Sequence, residues 1–185
     1  TRSLGVAFSG CTLPGADKPL FEVPADRMAV GLGIHGEPGL SEVDRGSADE
    51  VADVLVDGLF TERPPHPGQR VALVLNGLGG TKYDELFVLY QRIQQRITDA
   101  DMTIIAPVVG EQVTSLDMAG VSLSITYLDD ELERLWLAPA HTASFTRGAP
   151  PLAQPPPRRG ERAADEDDAV DAALQPAADP AAGCS

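Results

Sequence analysis

Basic residues, cysteines, aromatic rings and long apolar runs are all scarce in this 185-residue chain. Lys and Arg number 14 against 28 Asp and Glu, leaving a net charge of −14. No basic stripe interrupts the acidity, which excludes a nucleic-acid backbone as partner. Two cysteines, Cys11 and Cys184, stand near opposite ends. They make no disulfide framework, and a reducing cytoplasm is the expected compartment. No apolar run is long enough to span a bilayer, so no membrane partner is expected. With 5% aromatic residues, packing must be aliphatic. At 43% hydrophobic, that suffices for one core. No signal peptide is recognisable. The chain opens on Thr1 and runs directly into strand-like residues, as expected of a segment that begins inside a larger protein.

What is present centres on residues 31–39, GLGIHGEPG. Residues 28–34 (MAVGLGI) read as a short strand that delivers His35 between glycines, with a Pro-Gly stop behind it. Glycines on both sides remove side-chain bulk, so a small molecule can approach the imidazole. A neutral imidazole serves as nucleophile, base or metal ligand. A turn histidine bonded only to backbone fits the same pattern. Glu37 is placed to orient His35 or a ligand, or stands as a solvated loop carboxylate.

The pattern along the chain predicts an α/β fold with a mixed β-sheet and packed helices, in the order β–β–α–β–α–β–β–α. Residues 3–9 form the first strand. Ser47 and Glu50 make a capping box for a helix over 48–61, whose Asp49, Glu50, Asp53 and Asp57 mark a wet face. Arg70 to Leu75 reads as a central strand covered on both faces. The loop NGLGGT (76–81) leads into a helix over about 82–99. That loop has neither the Gly-Lys-Ser/Thr ending of a phosphate loop nor a GxGxxG spacing, so tight strand-to-helix packing is the favoured reading. Lys82 fits no phosphate fingerprint. A strand over 102–109, an alternating strand over 121–127 and a short helix over 129–136 capped by Asp129 complete the order.

Other candidate groups are weaker. Cys11 with Thr12 has no histidine beside it in the sequence and reads as a small buried thiol. His66 sits in a Pro-rich break. Thr114, Ser115 and Asp117 form no hydrolase set, because no G-x-S-x-G elbow supports one. Residues 146–185, rich in Pro, Ala and acids, are expected to be a disordered tail or linker after a domain over 1–145.

Several of these stretches together resemble dihydroxyacetone kinase, in the second half of its substrate-binding K subunit or domain. They are Cys11-Thr12-Leu13-Pro14, Phe21-Glu22, GLGIHGEPG (31–39), LNGLGGT (75–81), TSLDMAG (114–120), Leu128-Asp129-Asp130-Glu131 and Ala138-Pro139, in family order. The resemblance implies that His35 binds dihydroxyacetone covalently as a hemiaminal, and that a terminal hydroxyl is then phosphorylated. It implies no cofactor on this chain. ATP or ADP with magnesium is expected on a separate L domain or subunit, and a homodimer is expected in the full-length protein. The family's first K half, which supplies acid/base and substrate-binding groups, has no counterpart in these residues. Lys82 stands where the family often has Pro, and Leu137 where it often has Asp. A non-catalytic coactivator or sensor of dihydroxyacetone is the alternative the resemblance leaves open.

Overall fold

The computed structural model describes residues 1–33, 39–61 and 70–148. All belong to one unit, Thr1–Pro150; a second unit, Pro151–Ser185, lies outside the described residues. His66, Cys184 and nearly all of the expected tail therefore also lie outside them.

A seven-stranded mixed sheet forms the frame. Its strands are β1 (Arg2–Ala7), β2 (Arg27–Val30), β3 (Ser41–Asp44), β4 (Arg70–Gly77), β5 (Thr103–Ile104), β6 (Val108–Gly110) and β7 (Gly120–Tyr127). The order is β3-β2-β1-β7-β4-β5, with β6 also paired to β4. Pairing is antiparallel except where β4 meets β5 and β6. The mixed α/β class expected from the sequence is the class observed, and β4 is interior as expected.

Strand periodicity explains why helices cover one face. Val121, Leu123 and Ile125 of β7 are fully buried, as are Val71, Leu73 and Leu75 of β4 and Val6 of β1. They pack against α1 (Ala48–Phe60) and α2 (Tyr83–Asp99), which contribute Leu55, Val56, Leu86, Ile93 and Ile97. Each such aliphatic side chain contributes about 2 kcal/mol on leaving water. The alternate positions, Ser3, Ser122, Ser124 and Thr126, lie on the opposite face. There Ser3 and Ser124 share a hydroxyl–hydroxyl bond of 2.6 Å, and Thr1 and Thr126 one of 2.7 Å.

Ser47 caps α1: its backbone N–H donates to Glu50 and its hydroxyl accepts the Glu50 N–H, completing the expected box. The acidic row on α1 is less solvated than expected. Asp53 accepts two bonds from Arg92 at 3.0 Å and one from Arg96, while Asp57 pairs with Arg96. These carboxylates hold α1 to α2.

Three departures from the sequence reading have local causes. The strand after His35's motif, β3, is short and mostly exposed, so it carries little periodicity. The expected 102–109 strand splits into β5 and β6 because Ala106 takes φ +43° ahead of Pro107. The carbonyls at the break accept the Trp136 indole N–H, at 2.9 Å for Ile105 and 3.2 Å for Ala106. Trp136 belongs to α3 (Asp130–Leu137), which starts with the Asp129 side chain accepting the Leu132 N–H. Finally, β8 (Ala140–His141) pairs with β9 (Thr146–Arg147), so ordered structure runs past the expected boundary at residue 145. Arg147 accounts for the extension. Its guanidinium lies 4.3 Å from the Trp136 ring centre and donates to the carbonyls of Trp136 and Ala106.

Candidate functional site

His35, the central residue of the sequence reading, lies in the 34–38 segment outside the described residues, with Glu37. The structure describes what holds that segment at both ends. Strands β2 and β3 are antiparallel neighbours, with Val30 opposite Ser41, so residues 31–40 connect them. The Leu40 N–H donates to the Val30 carbonyl at 2.8 Å and closes the base of the connection. On its first side Gly31 takes φ +77°, and its N–H donates to Gly5 of β1 at 2.8 Å. A β-carbon at Gly31 would stand 2.9 Å from the exposed, flexible Leu40 side chain, so it is the positive φ that favours glycine there.

Leu32 anchors the entry to the segment. It is 8% exposed and joins Ala7, Cys11, Leu78 and Met118 in a small second core, with Phe21 against it. This group gathers the other motifs. Cys11 is buried in it, as the sequence reading favoured. Asp117 reaches back across the chain and accepts the Thr12 N–H at 2.6 Å. That N–H, then the Thr12 hydroxyl, holds the Asp117 carboxyl below the usual carboxylate range. Ser115 is buried, its N–H bonded to the Leu78 carbonyl, and the Thr114 hydroxyl donates to the Leu116 carbonyl at 3.2 Å. Thr114, Ser115 and Asp117 are thus scaffold for the loops beside Leu32.

The glycine loop 76–81 is filled by the protein itself. A β-carbon at Gly79 would stand 1.9 Å from the Leu116 carbonyl oxygen, and one at Gly80 2.9 Å from Ala119. The Gly80 N–H already donates to the Met118 carbonyl at 2.9 Å. The residues present do not fit a nucleotide phosphate at this turn. Among the described residues, no group of three or more His, Cys, Asp or Glu is gathered for a metal ion, and no helix is long and apolar enough to cross a membrane. The Lys82 N–H donates to Glu85 at the start of α2, and Leu137 is exposed at the end of α3.

A cleft of about 320 Å³ opens on the sheet face away from the helices. Gly33, the last described residue before the His35 segment, stands on its wall with Leu32. Ser3, Ser122 and Ser124 line it, with Asn76 and Gln112. Asn76 organises one side: its carbonyl oxygen accepts the N–H groups of Gln112 (2.7 Å) and Val113 (2.9 Å), and its amide donates to the Val113 carbonyl at 2.9 Å. The alternation in VSLSITY (121–127), small hydroxyls on one face and aliphatics on the other, is the signal by which sequence reasoning, which missed this surface, could have found it.

The Dak1 domain family profile matches residues 1–144. L-erythrulose kinase of Pectobacterium atrosepticum is 56% identical over 153 residues, covering 80% of this chain and 26% of that protein. The dihydroxyacetone-binding subunit DhaK of the PEP-dependent dihydroxyacetone kinase of Escherichia coli is 35% identical over 171 residues, covering 80% of this chain and 48% of that subunit. Among solved structures, the dihydroxyacetone kinase from C. freundii in complex with AMP-PNP and Mg2+ superimposes with a TM-score of 0.68 at 32% identity, over 83% of this chain and 28% of that one. The chain therefore spans between a quarter and a half of the length of these relatives. With the profile matched over more than three-quarters of its residues, and the motif-bearing loops packed on one mixed sheet, this chain belongs to the Dak1 domain family.

Proposed function

We propose that this chain is the ketose-binding half of a K domain in a kinase for short ketoses, and that His35 holds the substrate by its carbonyl. The observation that carries the reading is the construction around the GLGIHGEPG segment. Gly31 and Leu40 close its base, and Leu32 is sunk in the second core. Such a frame suits a short segment that must present one side chain reproducibly.

A ring nitrogen of neutral His35 adds to the ketone carbon. One N–C bond forms and the carbonyl π bond opens. The oxygen gains a proton as the other ring nitrogen loses one, so charge balances. Glycerol, with hydroxyls but no carbonyl, is rejected at this step. A terminal hydroxyl of the held ketose then accepts the phosphoryl group, whose donor we place on a separate L domain or subunit. The identity of 56% to an L-erythrulose kinase, against 35% to a dihydroxyacetone-binding subunit, favours a four-carbon ketose alongside dihydroxyacetone.

The test is His35→Ala in a K domain completed with a first half from the family. Ketose affinity should fall, and the preference for dihydroxyacetone over glycerol should shrink. A variant that keeps full preference over glycerol would refute carbonyl trapping at His35.

A further inference from the structure

The cleft on the helix-free face has a chemistry of its own. Among the described residues of its wall none carries a charge, although the chain as a whole is at −14. Strand register puts its polar groups in a row. Ser3 lies opposite Ser124, Gly5 opposite Ser122, and Ser122 opposite Asn76. In the Ser3–Ser124 pair one hydroxyl donates, and the accepting one keeps its own proton for another partner. Among the described residues the Ser122 hydroxyl accepts only a long 3.4 Å bond from the Asn76 amide, so toward them its proton is also available. Leu32, Val74, Leu78 and Val113 supply apolar wall between these groups. Neutral donors and acceptors interleaved with aliphatic carbon suit an uncharged polyol, whose hydroxyls and C–H groups alternate in the same way.

Position adds direction. Gly33 is on the wall, and two peptide units, at most about 7.6 Å between their end Cα atoms, lead from it to His35. Among the described residues no cation faces the cleft, so they offer a phosphoryl group nothing there. The end of a ketose that enters is the end that is not phosphorylated. We propose that this cleft is the subsite for the distal hydroxyl-bearing carbons of a ketose longer than dihydroxyacetone, with Ser122 as its principal donor and Ser124 as the second. The assignment rests on the short-ketose reading above. It makes Ser122 and Ser124 residues that select by chain length and take no part in carbonyl trapping.

The experiment follows backbone amide resonances of the 185-residue chain during titration with L-erythrulose, dihydroxyacetone and erythritol. Erythritol, a four-carbon polyol with no carbonyl, should shift the amides of Gly33, Asn76, Ser122 and Ser124, in wild type and in His35→Ala alike. Ser122→Ala should weaken erythritol and L-erythrulose about threefold to tenfold, the worth of one hydrogen bond, and change dihydroxyacetone by less than about twofold. The sheet should survive this change, because Asn76 keeps its 2.9 Å bond to Val113. Ser124→Ala should act in the same direction. Shifts by erythritol confined to other surfaces, or equal weakening of all three ligands by Ser122→Ala, would overturn the assignment. Carbonyl trapping is read separately from the ketone carbon resonance of the bound ketose, so either reading can fail alone.

Discussion

The Asp117 carboxylate accepts the backbone N–H of Thr12 at 2.6 Å, across 105 positions of sequence. This bond ties the loop after β1 to the loop before β7, beside the small core that holds Leu32. Because the bond favours the ionised carboxyl, Asp117 titrates lower in the folded chain than in the unfolded one. The stabilisation is complete above the ordinary Asp value, about 3.9, and is lost as pH falls through the folded value. Hydrogen exchange should show the Thr12 amide protected at neutral pH. Asp117→Ala should remove that protection and leave the amides of β7 unaffected. Equal protection in the variant would show that the bond holds nothing.

Two glycines with positive φ should differ in cost. Gly79 (φ +115°) has the Leu116 carbonyl 1.9 Å from where a β-carbon would sit, so Gly79→Ala must force two loops apart. The expected loss is about 3 kcal/mol or more. Gly15 (φ +81°) has nothing within 4 Å, so Gly15→Ala should cost only its backbone strain, about 1 kcal/mol. Urea midpoints at constant slope measure both. Equal losses would contradict the interlocked-loop description.

Asp53 joins the helices through Arg92 and Arg96. The hydrogen bonds from Arg92 hold its carboxyl below the usual range. The cluster is about one-third exposed, so solvent screening keeps it modest, and Asp53→Asn should cost about 1 kcal/mol at neutral pH. The gap between wild type and variant should stay level down to about pH 5, then close as pH drops below about 4 and Asp53 protonates in both folded and unfolded chains. Thermal midpoints measured across that range check the sign. A gap that widened on acidification would contradict it.

Periodicity made much of this fold legible. The 3.6-residue repeat of Leu86, Leu89, Ile93 and Ile97 marked α2, and the strict alternation of residues 121–127 marked β7. The short strands β3, β8 and β9 were not legible, because they owe their form to pairing and not to their own pattern. The break at Ala106 depends on a tryptophan 30 positions later, which no local window contains. Asp53 and Asp57 read as a solvated face because their partners lie on another helix. At the candidate site, the glycine pattern of residues 31–39 pointed to His35, whereas the serine row of the cleft emerged only when β1, β7 and β4 were brought into register.

The central claim is a covalent bond between His35 and a ketone carbon. The most direct measurement is the carbon-13 resonance of dihydroxyacetone labelled at C2, bound to a K domain completed with a first half from the family. Trapping predicts that the ketone signal disappears into a resonance typical of a saturated carbon bearing oxygen and nitrogen. That resonance should be absent in His35→Ala. A bound ketose whose C2 keeps its ketone resonance at saturation would contradict the account.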